Sequence, residues 1–441
     1  MHDRVPVNPD HTPGSSANNQ VNDAANPNHP TAGLPPLTIT NVKSICCAPR
    51  RSPYPSLVIV KVETSEPGLY GLGCASHTFR PLAVAASVDH YLNAIVQGRS
   101  ADSIEDVWQL VYRSTNTRNG PIINCALSGL DQALWDIKGK RLGVPLYDLL
   151  GGKCRFAVDT YAHASGRDFK ELEDRVQRYI EEGYRHIRIE LSTYGPEVEQ
   201  ADFHRAEFAS PEDRYKDPVE YVVTLPRMFE HIRQVFGEKV QLLHDMIYTR
   251  IHPIDAINVI KRLEPYRPFF IEDPFCIEDR QYVHLLRQQT SIPIAYGEKF
   301  VNPSEYYDLI TGRMIDFIRC HIPYIGGLTA ARKVAALGEL FGVRTAWHGP
   351  ADLSPVGHAA NAHLDLAIWN FGIQERVRFT PEEEDIFPGC PTFDNGYMHV
   401  NDKPGLGIDI DADLAARFPI PEDRIFGGRA LRYRDGTIRR A

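Results

Sequence analysis

Three stretches, VQLLHD (240–245), PFFIED (268–273) and IPIAYGE (292–298), decide the fold. Each is a short apolar run that reaches an acid at its end: Asp245, Glu272 and Glu298. The acids stand 27 and 26 residues apart, and the first gap holds the helix-like DAINVIKRLEPY (255–266). One strand and one returning helix take about that length, so the spacing predicts successive units of a parallel sheet. A closed parallel barrel opens all its strand C-termini at one mouth, and residues remote in sequence converge there. Three converging carboxylates repel one another unless a cation joins them. An oxygen-only donor set with room for water and substrate suits Mg²⁺.

The same rhythm extends in both directions. FAVDTYAHA (156–164), YRHIRIE (184–190), MIDFIRC (314–320), VRTAWHG (343–349) and LAIWNFGIQE (366–375) bring the candidate strands to eight. Helix-like segments such as LTAARKVAALGELFG (328–342) separate most of them. Eight units favour a closed α/β barrel over an open doubly wound sheet, and no GxGxxG follows a strand. The barrel is expected over 154–385. Before it, SLVIVKVET and GLYGLGCAS read as strands and 81–150 as helices, which predicts an α+β capping domain over 37–153. Residues 1–36, rich in Asn, Pro, His, Asp and Ser, are expected to be disordered or an irregular arm. The Gly- and Pro-rich segment 386–441 is expected to pack back on the cap.

A net charge of -9 argues against nucleic acid as the main partner. No run of about 18 apolar residues offers a membrane span, and no basic-then-apolar leader opens the chain, so a cytoplasmic protein is expected. The eight cysteines are scattered, with only Cys46 and Cys47 adjacent, and no CxxC or Cys/His spacing suggests zinc or a disulfide framework.

Several longer stretches resemble the enolase superfamily and, more closely, its mannonate dehydratase group. They are ALWDIKGKRLGVPLYDLLGG (133–152), LEPYRPFFIEDP (263–274), MIDFIR (314–319), HGPADLSPVGHAA (348–360), NFGIQE (370–375) and PGLGIDID (404–411). The resemblance implies a (β/α)₇β modified TIM barrel with an α+β cap completed by the C-terminal segment. It implies Mg²⁺ on Asp245, Glu272 and Glu298, an acid-sugar substrate and a homo-oligomer. The implied chemistry removes the proton α to a sugar-acid carboxylate, stabilises the enediolate with the metal, and expels a β-hydroxyl as water. By the same resemblance His348 contacts substrate or moves protons, Glu375 and His163 bind substrate, and Arg188 supports the base. Tyr194, or less readily Tyr215, would supply a loop tyrosine.

Some positions depart from that pattern. Arg188 and Glu190 share one face of their strand, and RIE in place of a KxK pair excludes a lysine base there. Glu190 remains a candidate for substrate contact. Where the group places an acid/base histidine, this chain has Ile247, and Tyr248 or Arg250 could fill the vacancy. His321 occupies the place of an aspartate in the racemase branch, which predicts a His321–His348 pair sharing proton traffic. Asp316, earlier in that strand, lies too deep for the role, and alternation turns Lys299 away from the metal. Dehydration is the leading reading. Epimerisation or cycloisomerisation, with Glu190 or Tyr194 facing His348, stays open, as does a metal-binding relative with little catalysis.

Overall fold

The computed structural model describes residues 35–50, 56–191, 218–246 and 251–422. Ile39–Cys47 (β1), Leu57–Thr64 (β2) and Tyr70–Cys74 (β3) form an antiparallel sheet in the order β1-β2-β3. The 22-residue helix Pro121–Leu142 lies across it, opened by a proline in its first turn and closed by Gly143 in the left-handed region. Glycines set how closely helix and sheet approach. A Cβ on Gly73 would come within 2.0 Å of the Gly129 carbonyl oxygen, and one on Gly71 within 2.0 Å of that of Ala133. Only glycine fits where backbones meet this closely.

Eight parallel strands follow: Val158–Gly166 (β4), His186–Leu191 (β5), Gln241–Asp245 (β6), Phe270–Glu272 (β7), Ile294–Tyr296 (β8), Phe317–Ile318 (β9), Arg344–Thr345 (β10) and Gln374–Glu375 (β11). A helix separates each consecutive pair, giving seven among the described residues. β4 through β10 pair in sequence order, β11 pairs with β4, and a Thr345–Phe371 bridge closes the ring. This is the expected (β/α)₇β barrel. A hairpin of Thr392–Asp394 (β12) and Tyr397–His399 (β13) then adds antiparallel to β4, so part of the Gly- and Pro-rich tail joins the barrel sheet.

Tyr161, Leu243, Phe270, Ala295, Phe317, Ala346 and Ile373, all fully buried, fill the barrel interior as one apolar layer. Side chains alternate along a strand, so the next inward position on each lies two residues closer to the mouth. The cap packs on that mouth through polar contacts. Trp108 Nε1 donates to the Gly326 carbonyl (2.7 Å), Asn124 Nδ2 to that of Tyr324 (2.6 Å), and Asp131 accepts from Thr329 N (2.9 Å) at the start of the helix Leu328–Phe341. The tail returns to the cap as well: Leu406 N donates to Asp136 (2.8 Å) and Tyr70 OH to Asp409 (2.6 Å). No disulfide joins the eight cysteines, and no described helix is long and apolar enough to cross a membrane.

Candidate active site

Two residues beyond the apolar layer stand His163 after Tyr161, Asp245 after Leu243, Glu272 after Phe270, Arg319 after Phe317, His348 after Ala346 and Glu375 after Ile373. Alternation thus converts an apolar layer into a polar one within a single rung. Register aligns its members, with His163 beside Arg188 and Asp245 beside Glu272.

Charge is concentrated on one side of the mouth. Arg188 Nη1 lies 3.0 Å from Asp245 Oδ2, 3.2 Å from Glu272 Oε2 and 3.4 Å from Glu375 Oε1. Fully buried Arg319 reaches Glu375 Oε2 at 2.6 Å and Glu272 Oε2 at 3.0 Å, and donates to Tyr161 OH at 3.0 Å. Burial works against both guanidinium charges, but Glu272 outweighs it with Asp245 and Glu375 for Arg188, and with Glu375 for Arg319, so both stay firmly protonated. Burial pushes the Asp245 carboxyl well up; Arg188 opposes it, while Glu272 and Glu298 reinforce it. His163 Nε2 approaches Glu375 Oε1 at 3.0 Å, and burial together with Arg188 lowers the His163 pKa. Glu190 shares the Arg188 face but makes no hydrogen bond or ion pair among the described residues.

Two imidazole rings dominate the other side. His348 Nδ1 meets His321 Nδ1 at 2.8 Å, and His348 Nε2 points to Glu298 Oε1 at 3.4 Å. The expected histidine pair therefore exists. Burial drives the His321 pKa down to about 3, with His348 and Lys299 adding to the effect and Asp352 opposing it, so this ring is neutral. Burial would raise the Asp352 carboxyl, yet His348, His321, Thr78 and Lys299 hold it below its ordinary value. Thr78, from the loop after β3, donates to Asp352 and lies 3.2 Å from Tyr324 OH. Among the described residues, the three ligand-type side chains with donor atoms all within 4.8 Å are His321, His348 and Asp352. Guanidinium groups stand among the three carboxylates instead.

Arg319, Asp352 and Thr78 were not singled out in the sequence. Period two after Phe317 would have found Arg319; Asp352 and Thr78 stand on loops beyond any period. Lys299 is a correction. Its ammonium bonds Glu298 Oε1 instead of turning away, because a turn begins at Gly297 and strand alternation stops there. Asp316 does lie away from the mouth, bonded to Arg287 and to Ile294 N. Tyr194, Tyr215, Ile247, Tyr248 and Arg250 fall outside the described residues.

Comparison with known proteins places this arrangement. Residues 171–414 match the enolase C-terminal domain-like family, and 45–151 match the mandelate racemase / muconate lactonizing enzyme N-terminal domain. D-galactonate dehydratase family member RspA of Pantoea ananatis is 49% identical over 397 residues, 87% of this chain and 94% of that protein. The chain belongs to the D-galactonate dehydratase family of the enolase superfamily. A second member of that family, from Salmonella enteritidis, is 47% identical across 92% of this chain and 99% of its own length. These D-galactonate dehydratase family relatives do not carry the mannonate dehydratase name that the sequence motifs suggest. A solved structure described as an enolase from Pantoea ananatis with bound D-gluconate and Mg superposes with a TM-score of 0.84 at 47% identity, covering 92% of this chain and all of that one.

Proposed function

We propose that the protein is a Mg²⁺-dependent hydro-lyase that dehydrates a six-carbon aldonate to a 2-keto-3-deoxy acid. The names of its relatives and the D-gluconate and Mg in the similar structure support this reading. The observation that carries it is the His321–His348 pair, whose outer edge, His348 Nε2, faces Glu298 at 3.4 Å.

Asp245, Glu272 and Glu298 would hold the metal. They fit one: Glu272 Oε1 is buried with no hydrogen-bond partner, and mutual repulsion helps raise Asp245. Bound Mg²⁺ would supply positive charge against the negative charge that gathers on the substrate carboxylate as the α-proton leaves. The proton work belongs to side chains. A base takes the α-proton, the C–H pair forms the Cα=Cβ bond, and the β-hydroxyl departs with a proton as water; the enol then becomes the 2-keto acid. A single proton bridges the two histidine Nδ1 atoms. When it resides on His348, Nε2 is a lone-pair base, and when it resides on His321, Nε2 can be the acid. In this reading Tyr194 is a second proton-transfer group and Arg188 supports the base. His163, Glu375, Arg250 and Glu190 hold the sugar hydroxyls.

The test is incubation with Mg²⁺ and a panel including D-gluconate, D-galactonate and D-mannonate in D₂O. Release of a 2-keto-3-deoxy acid is expected. Deuterium uptake at the α-carbon without loss of water would instead mean epimerisation, and no change with any acid would sink the enzymatic reading.

A further inference from the structure

β8 breaks the rule that builds the mouth. Two residues beyond Ala295 of the apolar layer stands Gly297, which carries no side chain to offer. Glu298 enters one residue later, on a turn closed by Phe300 N donating to the Gly297 carbonyl at 3.1 Å. A turn residue lacks the ladder bonds that fix the strand-borne acids, so something else must set its position.

Asp273, the residue after Glu272, is placed to do this. Its Oδ1 accepts from Gly297 N at 3.0 Å and from Glu298 N at 3.2 Å, while its own N donates to the Ala295 carbonyl at 2.9 Å. The side chain is buried, and Oδ2 faces Arg319 Nε at 3.9 Å. Both ends of the tie are in unusual backbone: Asp273 at φ +40° and Gly297 at φ +131°, where a Cβ would lie 2.8 Å from the Phe300 ring. A non-glycine residue held at positive φ beside a functional site points to a demand the side chain meets.

We propose that Asp273 is a positioning residue of the metal site: its carboxylate ties the turn bearing Glu298 to the strand end bearing Glu272 and so fixes the separation of the two acids. The inference rests on the Mg²⁺ reading above. If the turn alone required Asp273, glycine would serve as well or better at φ +40°. If the tie matters, glycine loses it, whereas asparagine tolerates positive φ and keeps one oxygen for the same two amides.

The experiment titrates Mg²⁺ calorimetrically into the full chain, Asp273→Gly and Asp273→Asn, with a thermal melt of each. Asp273→Gly should weaken Mg²⁺ binding about 10- to 100-fold, and turnover lost at low Mg²⁺ should return at saturating Mg²⁺. Asp273→Asn should stay within about threefold of the parent, since its amide oxygen can still accept both N–H groups. Parent-like affinity in Asp273→Gly, or equal loss in Asp273→Asn, overturns the proposal. Should the glycine variant fail to fold, Asp273→Ala is read by the same criteria. A parent that binds no Mg²⁺ would remove the metal reading itself, a distinct failure.

Discussion

The two sides of the mouth are built differently. Arg188, Asp245, Glu272, Arg319 and Glu375 all extend the strand alternation of the barrel, and each has ionic partners within 3.4 Å. His321, Asp352, Lys299 and Thr78 stand on turns and loops past the strand ends. Their placement depends on neighbours, including the cap, whose Thr78 reaches Asp352 and whose Asn124 reaches the Tyr324 carbonyl. The first side is charged, buried and suited to holding an ion and a substrate. The second centres on two imidazoles in contact, His321 and His348, a pairing suited to moving protons. Barrel strands fix the acids and guanidinium groups in place, and a strand end bearing His348 meets a loop-borne His321 to form the pair that exchanges protons.

The sharpest way to break this contrast is Glu272→Gln, which leaves shape intact and removes a carboxylate that both arginines contact. It should lower kcat at least about 10³-fold and abolish measurable Mg²⁺ uptake by calorimetry. Normal turnover with unchanged Mg²⁺ affinity would mean that this side is scaffolding. A smaller loss is expected on the histidine side. His321→Ala removes the Nδ1 partner of His348 and should reduce kcat about 10²-fold while Mg²⁺ affinity holds. The same residue also predicts a stability signature. Its folded pKa of about 3 lies below the ordinary 6.5, so the unfolded chain binds the extra proton between those values. Its contribution is therefore complete above about pH 6.5 and is lost as pH falls toward 3. Denaturant melts of His321→Asn should show a shallower acid-side decline, by up to about one proton of slope, and an unchanged slope would show that His321 is not buried neutral.

How far the sequence alone reached follows the same division. The strand ends carry a period, so Asp245, Glu272 and Glu375 could be placed from apolar runs, and the eight units gave the barrel. Arg319 obeys that period too and was missed because an arginine inside a strand invites no metal-site argument. Beyond the strands the period ends. Asp352 comes from a loop, Thr78 from another domain, and Gly297 diverts the chain so that Lys299 faces the mouth. Local pattern has no term for contacts between segments 274 residues apart, as Thr78 and Asp352 are. His321 was legible only through a resemblance, as the occupant of an aspartate's place in the racemase branch.

The mildest test therefore probes that long-range contact. Thr78→Val keeps the side-chain shape and deletes the hydroxyl shared by Asp352 and Tyr324. Losing a hydrogen bond to a carboxylate should cost about 1–2 kcal/mol of stability, read by denaturant melts. If the cap steadies only the histidine side, kcat should fall by no more than a few-fold and Mg²⁺ affinity should not change, because no barrel-borne ligand touches Thr78. A fall in Mg²⁺ affinity comparable to the fall in kcat would contradict the division, since it would mean that the loops and the strand-borne acids move as one unit. The two readouts together separate a cap that tunes proton transfer from a cap that assembles the whole site.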